Sequence, residues 1–522
     1  MNKLNDVNTT DLGDAIRMGC HTMCNVFNRD DDDVPFFSSQ VVPDTFLSFS
    51  WAHSEAHVPG RHLNALLNAE DAVGIELDEQ CIDAHARAAF FSYGGPVPLP
   101  LNRDRVGGEL IHFLPHNVRE GFHALVVLAH FRSSERARNL IEKSVDAILE
   151  LWNPDDGWDY DHLEGTLGLK VHRSGFISGL ARTIGPLVKA YRTTGCEKAL
   201  RLAILLKEKA GEFFTEDGTY DRETFGTHTH SVTCVMSSLA QLAELTSDAA
   251  LMNRVRAFYD NGLWDIRDEI GWSMENSSEN ANPDRGEANN TGDIVETALI
   301  LGRWGYSDYY EDAERILRCH LLPSQLRDIS FIAESPDPAP DDGRRDVARR
   351  HLGAFGFPAP YGHRPLGMES VSFNMDIVGG ATASLCEVCR DTVRTDEAGF
   401  RVNMLFDHVS PDISVESPYT HDCLRVRIKH ARPLFVRIPS WVAPEALTID
   451  GMPDTAIVSG DHLVITNPPS NQWINIRFPL TRRTITLAHR TRDIRVDLRG
   501  DEVVAMDGFG ADLTYFDPIN ET

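Results

Sequence analysis

The sequence predicts a mainly α protein with β, an α/α toroid followed by a C-terminal β-sandwich. Three observations predict it. Apolar residues recur at helical spacing in successive paired segments up to about residue 325, and again over 370–394. Polar, aromatic-bearing loops recur at the starts of these helices, which favours a closed toroid with one functional face over an open superhelix. From residue 400 to 500 the apolar period becomes two. The expected domains are a toroid over 1–398, with a long loop insertion at about 329–368, and a sandwich over 399–522.

The first helix is expected over about 12–27, before an acidic loop and a Phe-rich extended piece from Phe36 to Phe49. Trp51 to His62 then gathers His53, His57, His62 and Arg61. Pro59 suits the first turn of a helix whose buried face is Leu63, Leu66, Leu67 and Ala69. Asp78 starts another helix. His116, Arg119 and Glu120 open the next, where they can reach the same face as the earlier histidines. Ser133-Ser134-Glu135 begins its partner, with Ile141, Val145, Ile148 and Leu151 on one stripe. The loop Asn153 to Asp161 carries Trp158, Asp159 and Tyr160. It can stack and hydrogen-bond a sugar, or pack on itself as a turn. Further pairs are expected over 175–193 with 196–214, 230–245 with 247–264, and 292–304 with 307–321. The insertion, with Pro336 to Asp342, reads as a surface excursion. Strands are expected at 400–406, 424–428, 434–438, 463–465 and 473–478, with turns at Asp450-Gly451 and Ser459-Gly460-Asp461.

A formal net charge of −28 argues against sequence-independent nucleic-acid binding and against docking on anionic membranes. No segment reaches the roughly 18 to 20 apolar residues that cross a bilayer. Met1 to Val7 lacks the apolar core of a signal peptide. The nine cysteines, odd in number and scattered, read as buried free thiols in a reducing cytoplasm, so a cytoplasmic location is expected. There is no P-loop, no dinucleotide fingerprint and no Gly-x-Ser-x-Gly, and no cofactor is expected.

The chain is organised around Asn289 to Ala298, where Asp293 and Glu296 stand three apart at the start of a helical run. An acid-rich loop with Glu275, Glu279, Asp284 and Glu287 precedes it. Glu296-Thr297-Ala298, followed by Gly305-Tyr306-Ser307-Asp308-Tyr309-Tyr310-Glu311-Asp312-Ala313-Glu314-Arg315, resembles the β-L-arabinofuranosidase family, glycoside hydrolase family 127. In that family Glu-Thr-Cys precedes a helix pair ending in Tyr-Ala-Asp-x-x-Glu-Arg. Val402-Asn403-Met404-Leu405 and Val436-Arg437-Ile438-Pro439-Ser440-Trp441 resemble its sandwich, with the Arg-Ile-Pro-x-Trp signature. The similar stretches cover about residues 225–490. The resemblance implies an (α/α)6 toroid plus β-sandwiches and action on glycosides. Known members use a zinc-bound cysteine nucleophile. Here Ala298 stands where the first cysteine ligand would be, and Gly379-Gly380 where a later pair would fall. A thiolate zinc site needs close to four ligands, so neither that centre nor any other metal site is expected. Cys386 and Cys389 read as positions on a core helix.

Glycoside cleavage mostly needs two carboxyl groups flanking the bond. The resemblance makes Glu296 the first candidate, and Glu279, seventeen residues upstream, stands within one residue of the family's acid/base spacing. Glu287 is the runner-up. His228 and His230 match a family position at the pocket floor. His53, His57, Arg61, His116, Arg119, Trp158, Asp159, Tyr160 and Asp293 are the candidate substrate contacts. The plain alternatives are a solvated loop acid for Glu279, a dipole-favoured helix carboxylate for Glu296 and a helix cap for Asp293. These residues point to a glycoside hydrolase acting on a small oligosaccharide or glycoside by carboxylate chemistry without zinc. The rivals are a uronide or polysaccharide lyase, whose arginines would read a carboxylate, and a non-catalytic carbohydrate-binding relative. The expected partner is a carbohydrate, without nucleic acid or membrane, and a homodimer through the sandwich is the assembly to test.

Overall fold

Six helices line the inside of a ring and six pack around them. In chain order they are α1 (Leu12–Met23), α2 (Val58–Val73), α3 (Glu79–Ser92), α4 (Val118–Phe131), α5 (Glu135–Leu151), α6 (Ile184–Thr194), α7 (Glu197–Ala210), α8 (Thr229–Thr246), α9 (Ala249–Asp260), α10 (Ala288–Trp304), α11 (Asp308–Ile316) and α12 (Met375–Thr392). The structure is a computed structural model describing residues 3–335, 339–450 and 456–519. Helices α2, α4, α6, α8, α10 and α12 touch in that order, and α12 returns to α2, so the ring is closed. Five outer helices follow their inner partners. The sixth is α1, which packs on α12 and α2, so the first helix of the chain completes the hairpin that the last one opens.

Side-chain chemistry explains the helix starts. Asp11, Asp78, Ser134 and Asp248 each accept a backbone N–H from the first turn of their helix. The outer α5 buries one stripe, including Ile141, Val145, Ile148 and Leu151, whereas the inner α8 is buried nearly all round. One start differs from expectation. α10 begins at Ala288 and not at 292, because its polar first turn is satisfied inside the protein. Asn290 Nδ2 donates to Thr229 Oγ1 and the Met274 carbonyl, and Thr291 Oγ1 donates to the Gly271 carbonyl. Asp293 is therefore not a cap.

Two five-stranded sheets form the sandwich. One has the order Val393–Thr395, Phe400–Val402, Leu434–Arg437, His462–Ile465, Ala456–Ser459; the other runs His408–Val409, Ile413–Glu416, Leu424–Ile428, Trp473–Arg477, Thr448–Asp450. Alternate residues, such as Leu424, Val426 and Ile428, fill a separate apolar core. A third sheet, Arg482–Ala488, Asp493–Arg499 and Glu502–Met506, sends Leu487, Ile494, Val496 and Leu498 into the toroid's core instead. The expected turn residue Gly451, and Pro336 to Pro338 of the insertion, lie outside the described residues.

Two sequence expectations are corrected here. The insertion is not a free excursion: Val347, Phe355, Ala359 and Tyr361 are buried, and Arg350 donates to the carbonyls of Asn25 and Phe27. Its charged composition hid contacts to a part of the chain more than 300 residues away. Cys24 and Cys81 are paired as a disulfide, so the thiols are not all free. Their separation of 57 residues concealed that the end of α1 lies beside the start of α3, with the Cα atoms 5.3 Å apart. Gly379 and Gly380 are packing positions, since a Cβ on them would strike Arg61 and Asn289. Among the described residues, no helix is long and apolar enough to cross a membrane.

Candidate active site

All six inner helices bring polar residues to one end of the lumen, at or near their N-termini. His57 precedes α2, Asn117 precedes α4, and Arg182 lies just before α6. His228 precedes α8, Glu287 precedes α10, and Asp376 sits in the first turn of α12. Helix N-termini offer free N–H groups and a positive dipole end, which suits acceptor-rich ligands.

Five imidazoles form a continuous row. Ring centroids lie 5.1 Å apart for His53 and His57, 5.4 Å for His57 and His116, 5.8 Å for His116 and His228, and 5.8 Å for His228 and His230. Burial holds His53 down to about 3 and His228 to about 4, and pushes His116 and His230 well below the usual histidine range. These four rings are neutral at pH 7. Phe37 stacks on His53 at 4.1 Å, held there by the bond from the Met375 N–H to the Phe37 carbonyl.

Beneath the row lies a charged floor. Glu120, fully buried, faces Arg61, Arg119 and Arg182 at 3.3, 3.1 and 3.1 Å. Burial acts to raise its carboxyl, but His57 and the three guanidiniums outweigh that and hold it well below the carboxylate range. Asp293 accepts from Thr233 Oγ1 at 3.1 Å and lies 3.4 Å from His230 and 3.7 Å from Arg119. Burial raises it to about 6.

Two further carboxyl groups face the row with opposite tendencies. Glu287 lies 3.6 Å from His230 Nδ1 and accepts from Asn289 Nδ2. Burial first, then the negative charges of Asp376 and Glu275, push it up to about 8. Asp376 lies 3.1 Å from His57 Nε2. Burial would raise it too, but its bond with His57 and the Arg61 charge win and hold it at about 2. At pH 7 one carboxyl keeps its proton and the other has lost it.

The structure thus brings together His53, His57, Arg61, His116, Arg119, His228, His230, Glu287 and Asp293. It does not bring in the others. Glu279 is a loop acid whose side chain is 80% exposed and pairs with Arg222. Glu296 lies one turn beyond Asp293 along α10, in a polar cavity that the floor residues Arg61, Arg119 and Asp293 also line. It accepts there from Ser237 and Gln241 and lies 3.9 Å from Lys189. Trp158 is buried against Phe113 at 5.0 Å, the Asp159 carboxylate accepts its own loop's His162 N–H, and Tyr160 lies under the Arg173 guanidinium. Missed were Asp376, Arg182 and Asn117. An acid in the first turn of the helix over 370–394 was the only visible signal for Asp376. Also missed was Trp51, 43% exposed, whose ring lies 5.0 Å from His112 and 4.5 Å from His172.

Against the expectation of no metal site, two groups have ligand atoms within 4.8 Å of one another: His53, His57 and His116, and His228, His230 and Glu287. A thiolate centre does not fit, because neither group contains a cysteine, and Cys234 and Cys386 are buried in the helix packing.

No protein-family model and no curated protein matches the sequence. Solved structures are similar. A GH127 β-L-arabinofuranosidase from Geobacillus stearothermophilus T6 is 14% identical, with 96% of this chain and 86% of that chain covered and a TM-score of 0.57. A second GH127 β-arabinofuranosidase is 13% identical over 95% of this chain and 83% of that one, with a TM-score of 0.60. A glycoside hydrolase is 12% identical over 85% and 76%, with a TM-score of 0.53. At such identities the likeness is one of fold: a helical toroid joined to β-sheets.

Proposed function

We propose that this protein is a glycoside hydrolase in which Glu287 is the proton donor to the leaving oxygen. One observation carries the reading. Glu287, buried beside His230 at the N-terminal end of the lumen, is pushed up to about 8, while Asp376, facing the same row of histidines, is held at about 2 by its bond with His57. Two carboxyl groups whose environments separate their proton affinities are what glycoside cleavage uses. The neutral imidazoles suit hydroxyl recognition, since each ring offers one donor and one acceptor. Trp51, exposed two residues before His53, offers a flat face for a sugar ring. The similar structures named as glycosidases support the same chemistry. Arg61, Arg119 and Arg182 are committed to Glu120, which favours hydrolysis over the lyase alternative. Among the described residues neither histidine group contains a cysteine, which is why no zinc-thiolate step is included.

The test is Glu287→Gln, assayed against a panel of 4-nitrophenyl and alkyl glycosides. Loss of a general acid lowers kcat/KM by about 10²–10⁴-fold. The loss is expected to be larger for alkyl than for nitrophenyl glycosides, whose leaving group needs little protonation. Wild-type activity should fall on the alkaline side with an apparent pKa near 8, as Glu287 loses its proton. Unchanged turnover of alkyl glycosides by the variant would remove Glu287 from the reaction.

A further inference from the structure

The five imidazoles are not equivalent as metal donors, because a ring nitrogen holds either a proton or a lone pair and its partner shows which. His230 Nε2 lies 3.1 Å from Arg61 Nη2. A guanidinium only donates, so this nitrogen accepts, and the proton sits on Nδ1, facing Glu287 Oε1 at 3.6 Å. The lone pair of that ring is used. The group of His228, His230 and Glu287 therefore lacks a free donor on one of its three members despite its spacing.

The other group reads the opposite way. His116 Nδ1 lies 3.0 Å from the Ser178 carbonyl, which only accepts, so Nδ1 donates and Nε2 carries a bare lone pair. Among the described residues no hydrogen bond reaches that Nε2, nor Nε2 of His53, whose Nδ1 contacts Ser50 Oγ at 3.2 Å. His57 Nδ1 lies 2.9 Å from Asn117 Oδ1. The Asn117 amide is oriented by donation from Nδ2 to the Ala52 carbonyl, so Oδ1 accepts and His57 Nδ1 donates. His57 Nε2 faces Asp376 Oδ2 at 3.1 Å, so either a proton on Nε2 or a metal cation lies between them. Asp376 Oδ1 is also buried without a hydrogen-bond partner.

We propose that His53, His57 and His116 bind one divalent transition-metal ion of the zinc class, with Asp376 beside His57 as its counter-charge. Three imidazoles with a fourth position open to water or ligand suit zinc or cobalt(II). The Ser178 carbonyl and Asn117 are the outer partners that hold ligand rings in the required tautomer. A cation here also resolves the contact between His57 and Asp376. The inference concerns binding and does not depend on the reaction proposed above.

The probe is cobalt(II), titrated into the chelator-treated full-length protein and followed by visible absorption. The expected result is one equivalent bound, with the d–d bands of a four-coordinate nitrogen and oxygen site, displaced by zinc. His53→Ala and His116→Ala are each expected to weaken binding at least about 100-fold, whereas His230→Ala binds as the wild type does. Thermal melting of each variant checks that it is folded. Absence of stoichiometric binding by the wild-type protein overturns the proposal, since a proton then sits between His57 and Asp376. Undiminished binding by a folded double variant, His53→Ala with His116→Ala, overturns it as well. The readout needs no turnover, so the metal site and the hydrolase reading fail separately.

Discussion

Glu120 is the side chain on which the floor of the pocket depends. Three guanidiniums converge on one buried carboxylate. Breaking a buried ion pair from one side costs about 3–5 kcal/mol, because the partners stay buried without counter-charge. Glu120→Gln is expected to destabilise the protein by at least that amount, read as a lowered Tm. Glu287 works in the other sense. Its folded-state value of about 8 lies above the usual 4.5. Its contribution to stability is therefore complete below about 4.5 and is lost as pH rises through 8. Glu287→Gln should flatten the fall of Tm between about pH 4.5 and 8, and an unchanged profile would contradict the burial described here. The sequence placed Glu296 first because the tripeptide Glu-Thr-Ala is local and visible. What separates Glu287 from Glu296 is the helix start, and that was set by hydrogen bonds of Asn290 and Thr291 to distant carbonyls.

Among the elements, the approach of α2 to α4 decides the geometry of the site. Gly60 faces the Glu120 backbone so closely that a Cβ there would lie 1.9 Å from its carbonyl oxygen. The obstacle is main chain and cannot rotate away. Gly60→Ala must push α4 outward, at a cost of about 1–3 kcal/mol for overpacking, and it displaces Glu120 with the helix. The expected outcome is a lower Tm together with a weakened pocket. Gly165→Ala, with open space around it, is the control and should be near neutral. The helices themselves were legible from caps such as Asp78 and Ser134 and from stripes such as Ile141 to Leu151. The glycine contacts were not, because a glycine reports only that no side chain is present, not what occupies its place.

Across the whole molecule, two of the motifs that carry the family resemblance, Tyr306 to Arg315 and Val436 to Trp441, meet each other away from the histidine row. Arg437 of the sandwich reaches Glu314 of α11, Arg318 bonds both Glu314 and the Leu405 carbonyl, and Glu311 accepts from Ser440. These residues form the joint between toroid and sandwich, and Arg437, Arg318 and Glu314 are fully buried. Glu314→Gln is expected to cost about 3–5 kcal/mol. It should raise amide hydrogen exchange over 400–406 more than in α2 or α4; uniform exchange would argue against a localised joint. By itself the sequence determined the order of helices and strands, the two architectures and the histidine-rich starts of α2, α4 and α8, because periodicity, caps and turns act over a few residues. Tertiary structure alone decided that α1 closes the ring, that Glu287 and Asp376 face one row of imidazoles, and that Glu296 lines a polar cavity with Arg61, Arg119 and Asp293. Those outcomes depend on contacts between residues hundreds of positions apart, and on which nitrogen or carboxyl keeps its proton once water is excluded.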